Sequence, residues 1–359
     1  VYVKFKLEDG RYMMAWTTTP WTLPANTALA VNKEVDYVEV DFEGDHIIVA
    51  KDLASGVFTD EKRQPLDYKI VRELKGSDLV GFSYEPLMPM PKGMGYTSIG
   101  KRDLKAGDDA EQQAALVTDL YRVHAADYVE TEAGTGIVHL APIYGEEDYE
   151  LAKRENFPGF HVIDTNGFYY EPVAAQLYAM MPWRDASEPL NVWESNKDVA
   201  KALKKAGIVW KIDYITHSYP HCHRCGTKLM YRAHPSWFMD IDSQRTMMLE
   251  KNEPINWFPG HVKHGRFEKT VQQAPDWNIS RDRFWATAMP VWKSESGKTK
   301  VVGSYEELKD LSGKELEDYH RPWIDNVTFT IDGEEYTRID KVMDSWFEAG
   351  SMPFAQFHY

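Results

Sequence analysis

The stretch Trp16-Thr17-Thr18-Thr19-Pro20-Trp21-Thr22-Leu23-Pro24-Ala25-Asn26 decides how the start of the chain is interpreted. Threonine is a good strand former, and Pro20 interrupts a strand because proline has no N–H to donate. The consecutive threonines therefore lie at a strand end, on rigid backbone. Hydroxyls placed there can hold a ribose or position a water without supplying charge. Two interpretations stay open, namely an edge strand that leaves a sheet at a proline and a hydroxyl-lined site.

Strand patterns surround this stretch. Apolar and polar side chains alternate over residues 1–7 and 12–16, and again over 35–42 and 46–50, with turn residues between the members of each pair. We therefore predict a twisted antiparallel sheet over the first 50 residues of the sequence.

A second segment combines a strand, a loop and a helix start: Gly136-Ile137-Val138-His139-Leu140-Ala141-Pro142-Ile143-Tyr144-Gly145-Glu146-Glu147-Asp148-Tyr149. His139 at the strand end and Asp148 at the helix start can converge on one pocket. Because a helix N-terminus favours negative charge, we expect Asp148 to stay ionised, which suits binding of an α-ammonium group. A satisfied core histidine and a helix-stabilising aspartate are the alternatives, and the spacing leaves them open.

Two helices are predicted in this part of the chain. The first covers residues 145–156, with acidic side chains in its first turn. The second carries an S-x-x-D capping signature at Ser195 and Asp198, and Gly207 ends it. Strands and helices mixed in this way predict an α/β or α+β domain through about residue 210.

The composition changes after residue 210. Residues 211–275 contain both cysteines, Cys222 and Cys225, whose C-x-x-C spacing supplies half of a four-ligand zinc site. A turn that binds no metal is the open alternative. Tryptophans and short strands dominate from residue 276 to the end. We therefore predict three parts: 1–210, 211–275 and 276–359.

The bulk composition limits the class of protein. The length of 359 residues predicts two or three compact units. No run approaches the roughly 20 apolar residues that cross a bilayer, so we expect no membrane span. Two cysteines exclude a disulfide scaffold and fit a reducing, cytoplasmic compartment. The first residue, Val1, falls within a strand pattern, and we expect a fragment of a longer protein.

The net charge of the chain limits how it could bind a nucleic acid. The chain has 41 basic and 56 acidic residues and a net charge of −15. A basic surface supplies most of the affinity in non-specific nucleic-acid binding, and this composition argues against that mode. A nucleic-acid partner would have to dock through a local basic patch or through contacts made by a larger parent protein.

The two segments carry a family resemblance. The stretch from Thr17 to Asn26 closely resembles the threonine-rich peptide in the editing domains of isoleucyl-tRNA synthetases, which belong to class I. The segment His139-x-Ala141-Pro142-x-x-Gly145-x-x-Asp148-Tyr149 is similar to their second editing motif. Valyl and leucyl relatives carry T-T-R-P at the first place, so Thr19 and Trp21 distinguish the three. Later segments resemble the ribbon that returns from the editing insertion and the catalytic domain: 219–225, 277–292 and 344–351.

This resemblance implies a fold and an activity. Residues 1–210 would form the editing (CP1) domain, an α/β fold with a mixed, β-barrel-like sheet and surrounding helices. Residues 211–275 would form a connecting ribbon, and 276–359 a partial Rossmann-type catalytic segment, the second half of that domain. The implied reaction is hydrolysis of valyl-tRNA(Ile) after transfer, with valyl-adenylate as a further substrate. The implied partner is the 3′ end of tRNA(Ile), and we expect a monomer.

The family's site residues carry over by motif. Asp148 would pair with the α-ammonium of valine, and His139 would form the wall that excludes isoleucine. The implied catalytic residues are Thr17, Thr18, Thr19 and Asp148, and the implied substrate-binding residues are Thr22, Asn26, His139 and Trp346. Editing needs no cofactor in this family. Zinc is the predicted metal at Cys222 and Cys225, whereas ATP and Mg²⁺ belong to the full-length ligase.

Two further expectations follow. The H-I-G-H and K-M-S-K-S signatures that bind ATP in the family are absent from the sequence, so we expect no aminoacylation by this chain alone. Two alternatives to the proofreading interpretation remain: an editing domain of a valyl- or leucyl-tRNA synthetase, which Thr19-Pro20-Trp21 disfavours, and a non-catalytic module that binds a tRNA 3′ end.

Overall fold

The structure is a computed structural model that describes residues 1–60, 62–91, 94, 97, 99, 120–216 and 218–357. The chain divides into two compact units, Val1–Ala233 and His234–Tyr359. Among the helices of the described residues, none is long and apolar enough to cross a membrane.

Two sheets form the frame of the first unit. Its strands are β1 (Tyr2–Lys6), β2 (Tyr12–Trp16), β3 (Ala28–Val31), β4 (Asp36–Phe42), β5 (Asp45–Ala50), β6 (Lys69–Lys75), β7 (Arg122–Ala125), β8 (Ile137–Leu140) and β9 (Val209–Lys211). The larger sheet has the order β6-β4-β5-β2-β1-β9, and the smaller one has the order β7-β3-β8.

Helices cover these sheets and share their core. They are α1 (Ala54–Val57), α2 (Gly76–Leu79), α3 (Glu146–Glu155), α4 (Glu171–Met180), α5 (Val192–Lys205) and the 3₁₀ helices Pro20–Ala25 and Lys51–Leu53. The buried side chains of α3, α4 and α5 join the same apolar cluster as those of β1 and β3. The longest of these helices, α5, buries Val199 and Leu203 one turn apart on one face.

The prediction of an antiparallel sheet at the start of the chain is wrong at one pairing. The predicted hairpins β1–β2 and β4–β5 are present and antiparallel. However, β2 pairs with β5 in parallel, with Tyr12 opposite Ile47. The reason is that β3, which follows β2 in the sequence, leaves for the smaller sheet. The β4–β5 hairpin then returns to the larger sheet. There β5 lies beside β2 and runs in the same direction.

The change of sheet between β2 and β3 builds the region of interest. The 3₁₀ helix Pro20–Ala25 carries the chain from the larger sheet into the smaller one. There β3 pairs antiparallel with β8, and this register sets Leu29 opposite His139. The threonine-rich stretch and His139 are thereby brought together by strand pairing. Because β2 lies between β5 and β1, the stretch does not leave from an edge strand.

The helix predictions are confirmed except at one cap. The predicted helix over 145–156 is α3, and Asn156 ends it in the left-handed conformation. Helix α5 begins three residues before the predicted cap, because the Asn191 side chain accepts the N–H of Trp193 at 2.9 Å. Ser195 lies inside the helix, where its hydroxyl donates to the Asn191 carbonyl at 2.6 Å. The capping interpretation of Ser195 is therefore wrong.

The second unit contains short strands and helices. Its strands are β10 (Phe238–Met239), β11 (Trp277–Asn278), β12 (Ser280–Arg281), β13 (Val291–Ser294), β14 (Thr299–Val301), β15 (Phe329–Ile331), β16 (Glu334–Arg338) and β17 (Val342–Met343). Its helices are α6 (Arg245–Asn252), α7 (Glu268–Gln273), α8 (Tyr305–Ser312), α9 (Ser345–Ala355), the π-helix Lys263–Phe267 and the 3₁₀ helix Ile324–Asn326.

The predicted α/β class is confirmed at the level of a mixed fold with several sheets. The pairings between the named strands of the second unit are antiparallel. The β-barrel-like form of the first sheet and the Rossmann-type segment stay predictions, as does the functional division at 210 and 275.

Gly136, which precedes β8, provides a test of how this strand is held. Its φ is +70°, and a Cβ atom there would collide with the Cβ of Ala50. The Tyr37 hydroxyl also donates to its carbonyl at 2.6 Å. Gly136→Ala should lower the free energy of unfolding by about 2–5 kcal/mol, from left-handed backbone strain plus overpacking. Urea denaturation measures this loss.

Gly44→Ala is the matched control for this prediction. Gly44 has a φ of +89°, but a Cβ atom added there would meet nothing within 4 Å among the described residues, so only the backbone strain applies. Its loss should be about 1–2 kcal/mol. Equal losses for the two variants would show that β8 is not packed against Ala50 as described.

Candidate functional site

The threonine-rich stretch folds into a buried 3₁₀ helix. Thr19 is its N-cap and Pro20 is its first residue, a position where proline's missing N–H needs no partner. Every residue from Pro20 to Ala25 is buried. This 3₁₀ helix, called the threonine-rich turn below, is therefore part of the core. Thr18, which precedes it, is exposed.

Trp21 anchors this turn. Its side chain is 3% exposed and packs edge-on against Tyr144, with 5.4 Å between ring centroids, and against Trp193, at 6.0 Å. The Tyr169 hydroxyl donates to the Trp21 carbonyl at 2.9 Å. Aromatic pairs of this geometry stabilise packing beyond their buried area. The turn is thereby fixed against both α5 and the loop that follows β8.

The threonine hydroxyls form a chain of hydrogen bonds. The hydroxyl oxygen of Thr17 accepts the Thr19 N–H at 3.1 Å and lies 3.2 Å from the Thr19 hydroxyl. The Thr19 hydroxyl lies 3.4 Å from that of Thr22. Three of the predicted site residues are thus linked side chain to side chain.

This chain of hydrogen bonds ends at His139, and its contacts identify the ring nitrogen that carries the proton. The Thr22 hydroxyl donates to the Thr19 carbonyl at 2.8 Å, so its oxygen has to accept from Nε2 of His139, 2.9 Å away. Nδ1 therefore carries no proton and accepts from the Asn26 amide at 3.3 Å. Burial lowers the pKa of His139 to about 4. The ring is neutral at pH 7, and protein groups occupy both of its nitrogens.

Asn26 is oriented by a residue that the sequence did not indicate. Tyr84 donates its hydroxyl to Oδ1 of Asn26 at 2.7 Å, and the Asn26 amide donates to the Ala28 carbonyl at 2.9 Å. This pair of bonds decides which end of the amide faces His139. Tyr84 lies 58 positions further along the chain, in a segment without a readable pattern, so no sequence signal pointed to it.

Asp148 lies beside this network through the loop that follows β8. Its Oδ2 accepts the backbone N–H of Ala141 at 2.8 Å, two positions after His139. Gly145 makes room for it, because a Cβ atom at 145 would lie 2.9 Å from the Asp148 carboxyl carbon. An alanine at position 145 would displace the carboxylate.

The charge state of Asp148 differs from the expectation. Burial of the carboxyl raises its pKa to about 6; the hydrogen bond from Ala141 lowers it and the charge of Glu147 raises it. The helix N-terminus was expected to keep the group strongly ionised, but desolvation outweighs it. Asp148 is still mostly ionised at pH 7. Its surroundings therefore disfavour the charged form of the carboxyl group.

The structure brings together most of the predicted residues of the first unit. One hydrogen-bonded network contains five of them: Thr17, Thr19, Thr22, Asn26 and His139. Asp148 joins through the backbone of Ala141. Thr18 lines a cavity together with Thr17. Trp346 belongs to the second unit, where it is 73% exposed in the first turn of α9.

The two cysteines lie at a turn. The Cys222 N–H donates to the Thr227 carbonyl at 2.8 Å, and the sulfur of Cys225 lies 3.2 Å from the Thr227 hydroxyl. The pKa of the Cys225 thiol is lowered to about 7, mainly by its contact with Thr227. Among the residues that the structure describes, no group of three or more His, Cys, Asp or Glu side chains could hold a metal ion. The zinc site stays a prediction that rests on two thiols.

The family described as "tRNA synthetases class I (I, L, M and V)" matches residues 2–359. The chain is 42% identical over 364 residues to the isoleucine–tRNA ligase of Clostridium novyi and 40% identical over 364 residues to that of Clostridium acetobutylicum. Each alignment covers 100% of this chain and 31% of the relative. The chain thus spans about a third of the length of these relatives.

Solved structures give more distant likenesses. The crystal structure of GlLeuRS-CP1 is 12% identical, with a TM-score of 0.40 over 60% of this chain and 98% of that one. The P. knowlesi cytosolic leucyl-tRNA synthetase editing domain has 12% identity and a TM-score of 0.36 over 58% and 93%. Neither score is high enough to carry weight. The family description, in contrast, covers the chain almost end to end, and the chain belongs to the class I tRNA synthetases of the I, L, M and V group.

Proposed function

We propose that this chain is the proofreading part of an isoleucine–tRNA ligase and that it hydrolyses the ester of valine misattached to tRNA(Ile). One observation carries the proposal. The fold brings the threonine-rich turn against the segment 136–149: the Thr22 hydroxyl lies 2.9 Å from Nε2 of His139, and Asp148 accepts the N–H of Ala141, two positions after His139. Relatives that are 38–42% identical to this chain over its aligned length are named isoleucine–tRNA ligases. That name supports isoleucine as the amino acid of the parent enzyme.

An energetic limit explains why such a site is needed. Valine is isoleucine without one methylene, and isoleucyl-tRNA synthetase is the standard example of a pocket that gains only about 1–3 kcal/mol from that group. A second site that admits valine and excludes isoleucine removes the remaining errors. Size exclusion and hydrolysis therefore have to occur at the same place.

Asp148 would bind the amino group of the misattached valine. Its Oδ2 is occupied by the Ala141 N–H, which leaves Oδ1 to accept from an ammonium. An ammonium beside the carboxylate favours the charged form of both partners. The substrate would thus supply a counter-charge for the buried carboxylate. A partly desolvated carboxylate of this kind is typical of functional sites.

The threonine hydroxyls would contact the ribose side of the ester and the attacking water. They carry no charge and can hold the ribose hydroxyls and the attacking water at fixed positions. The water oxygen bonds to the ester carbonyl carbon, the bond from that carbon to the ribose oxygen breaks, and the water's proton ends on the ribose hydroxyl. The products are valine and uncharged tRNA. The ester is already activated, so orientation and oxyanion stabilisation supply the rate.

His139 would act by its shape. With a pKa of about 4 and both nitrogens bonded to Thr22 and Asn26, the ring is neither a base nor an acid near pH 7. A side chain bonded at both nitrogens cannot rotate aside for a larger ligand. A rigid wall is what a size filter needs.

The ligands of the site follow from this chemistry. The partner is the 3′ end of tRNA(Ile), and valyl-adenylate has the same amino-acid end. With a net charge of −15, this chain alone should bind tRNA weakly, and we place most phosphate contacts elsewhere in the parent protein. The proposed hydrolysis uses no metal or nucleotide, and we place the protein in the cytoplasm as a monomer.

Asp148→Asn tests the ammonium site. It should abolish hydrolysis of valyl-tRNA(Ile), because a neutral amide cannot balance the ammonium charge. It should also raise Tm at pH 7.5 by a few degrees, because the amide oxygen can still accept from Ala141 while the desolvated charge is gone. Single-turnover deacylation and thermal unfolding measure the two effects.

Glu147→Gln is the matched control for Asp148→Asn. Glu147 is exposed on the same helical turn and loses the same charge. It should keep the rate at pH 7.5, where Asp148 is ionised with or without it, and should change Tm less than Asp148→Asn does, because the charge of Glu147 contributes less than burial to the raised pKa of Asp148. An Asp148→Asn variant that hydrolyses valyl-tRNA(Ile) normally would remove Asp148 from the mechanism.

The pH dependence of hydrolysis has a predicted sign. The folded pKa of Asp148, about 6, lies above its ordinary value of 3.8, so the carboxyl takes up a proton as the pH falls through 6. For hydrolysis, kcat/KM should fall up to about tenfold per pH unit below 6. Stability should change in the opposite direction, since the charge costs stability above pH 6 and that cost disappears toward pH 4. An acidic limb that persists in Asp148→Asn would assign the titration to another group.

His139→Ala tests the size filter. Removing the ring should let the isoleucyl ester enter, and hydrolysis of isoleucyl-tRNA(Ile) should rise from background by about 10- to 100-fold, within the discrimination that a methylene-sized difference allows. His139→Phe restores the bulk without the nitrogens and should restore discrimination. If His139→Ala folds, as judged by Tm, and still spares isoleucyl-tRNA(Ile), another residue forms the wall.

A further inference from the structure

Two side chains of the first unit that the proposed mechanism does not use contain shielded atoms without a hydrogen bond. Arg232 is half-buried, and its Nε–H, which can only donate, has no partner among the residues that the structure describes. Nδ1 of His161 is likewise shielded from solvent and unbonded within the described ranges. Buried polar atoms are nearly always bonded, so two orphan atoms close together call for a ligand.

Tyr144 fixes the position of His161 and adds a third group. The Tyr144 side chain is 7% exposed and lies in the loop that follows β8. Its hydroxyl oxygen accepts the N–H of Val162 at 2.7 Å and that of Ile163 at 3.2 Å, the two residues that follow His161. The hydroxyl proton has no acceptor in the part of the chain that the structure describes. Tyr144 can therefore donate beside His161.

Arg232 reaches the same place from the end of the first unit. The N–H of Ala233, which follows it, donates to the carbonyl of Ile143 at 2.6 Å, directly before Tyr144. Burial raises the pKa of Tyr144 to about 12 and lowers the pKa of His161, and the positive charge of Arg232 lowers both. The guanidinium group is therefore near both rings.

The charge of this arginine is not balanced by an acid. The chain has 56 acidic and 41 basic residues, yet no ion pair of Arg232 occurs among the described residues. The lowered pKa of His161 leaves its ring neutral at pH 7.5, and a neutral ring can carry its proton on Nδ1. Three donors and one unpaired positive charge thus lie around one place, which is the composition of an anion site.

We propose that Tyr144, His161 and Arg232 form a binding site for a phosphate group, whose oxygens accept from the hydroxyl, the imidazole Nδ1 and the guanidinium. The planar fork of arginine suits phosphate oxygens, and His161 and Arg232 are exposed enough for a ligand to reach them from solvent. Inorganic phosphate and the phosphodiester of an RNA strand present the same oxygens. RNA is the source that we expect, and that choice alone rests on the proposed function.

Inorganic phosphate is the first probe of the site. At pH 7.5 and constant ionic strength, exchange of chloride for phosphate should raise the Tm of the unmodified chain. The increase should be about 2–4 °C when phosphate reaches about five times its dissociation constant. Arg232→Gln and His161→Ala should lose this increase, because each removes a donor to the phosphate.

Lys201→Gln is the matched control for Arg232→Gln. Phosphate also stabilises proteins in general, because it is excluded from their surfaces, and the control measures that effect. Lys201 is exposed on α5, and its replacement removes the same charge. It should keep the phosphate-dependent increase in Tm.

An RNA minihelix without an attached amino acid distinguishes the two sources of phosphate. Its affinity for the chain is measured in KCl between about 50 and 200 mM, where the logarithm of the affinity falls linearly with the logarithm of the salt concentration. Loss of one phosphate contact makes this slope less steep by about 0.7–0.9. Arg232→Gln should show that change, and Lys201→Gln should keep the slope of the unmodified chain.

The outcomes are independent of hydrolysis, so a failure of the proposed function leaves both measurements decisive. A less steep slope in Arg232→Gln would assign the site to an RNA phosphate. An unchanged slope, with a phosphate-dependent increase in Tm that Arg232→Gln loses, would assign it to free phosphate. An equal effect of phosphate on the Tm of all four proteins, together with equal slopes, would overturn the site.

Discussion

The hydrogen bonds at the two nitrogens of His139 are the constraint on which the rest of the site depends. They require a proton on Nε2, a hydroxyl at Thr22 that is already committed to a carbonyl, and an amide at Asn26 that Tyr84 orients. The threonine-rich stretch, β8 and the segment that contains Tyr84 all contribute. A change at any of them would leave a buried polar atom without a partner, at about 1–3 kcal/mol each. The ring is therefore held more firmly than packing alone would hold it.

The same region contains a charge that the fold does not favour. Asp148 lies in partly desolvated surroundings that raise its pKa to about 6, and its single described hydrogen bond comes from the backbone of Ala141. Gly145 makes room for the carboxylate, as expected of a site shaped around it. A folded protein gains no stability from such a carboxylate at neutral pH. In the proposed function, the ammonium group of the substrate would supply the missing counter-charge. A neutral, immobilised imidazole and a desolvated carboxylate are consistent with the proposed site, which would exclude ligands by size and bind them by charge.

Much of this arrangement was predictable from local pattern, and the rest depended on contacts distant in sequence. The β1–β2 and β4–β5 hairpins and helix α3 follow from alternation, turn residues and acidic first-turn residues. The parallel pairing of β2 with β5 was not predictable, because it depends on where β3 goes. The Asn191 cap was missed because Ser195 matched a commoner signature. Tyr84 and the aromatic contacts of Trp21 carry no local signal, and the raised pKa of Asp148 depends on burial that only the fold reveals.

Proofreading by this site can be tested by single-turnover deacylation by the 359-residue chain of tRNA(Ile) carrying valine or isoleucine at its 3′ end. We predict rapid loss of valine and loss of isoleucine at the rate without protein. Hydrolysis of both esters at one rate would contradict the size filter at His139. No hydrolysis of the valyl ester, at protein concentrations that saturate the tRNA, would contradict the proposed function itself.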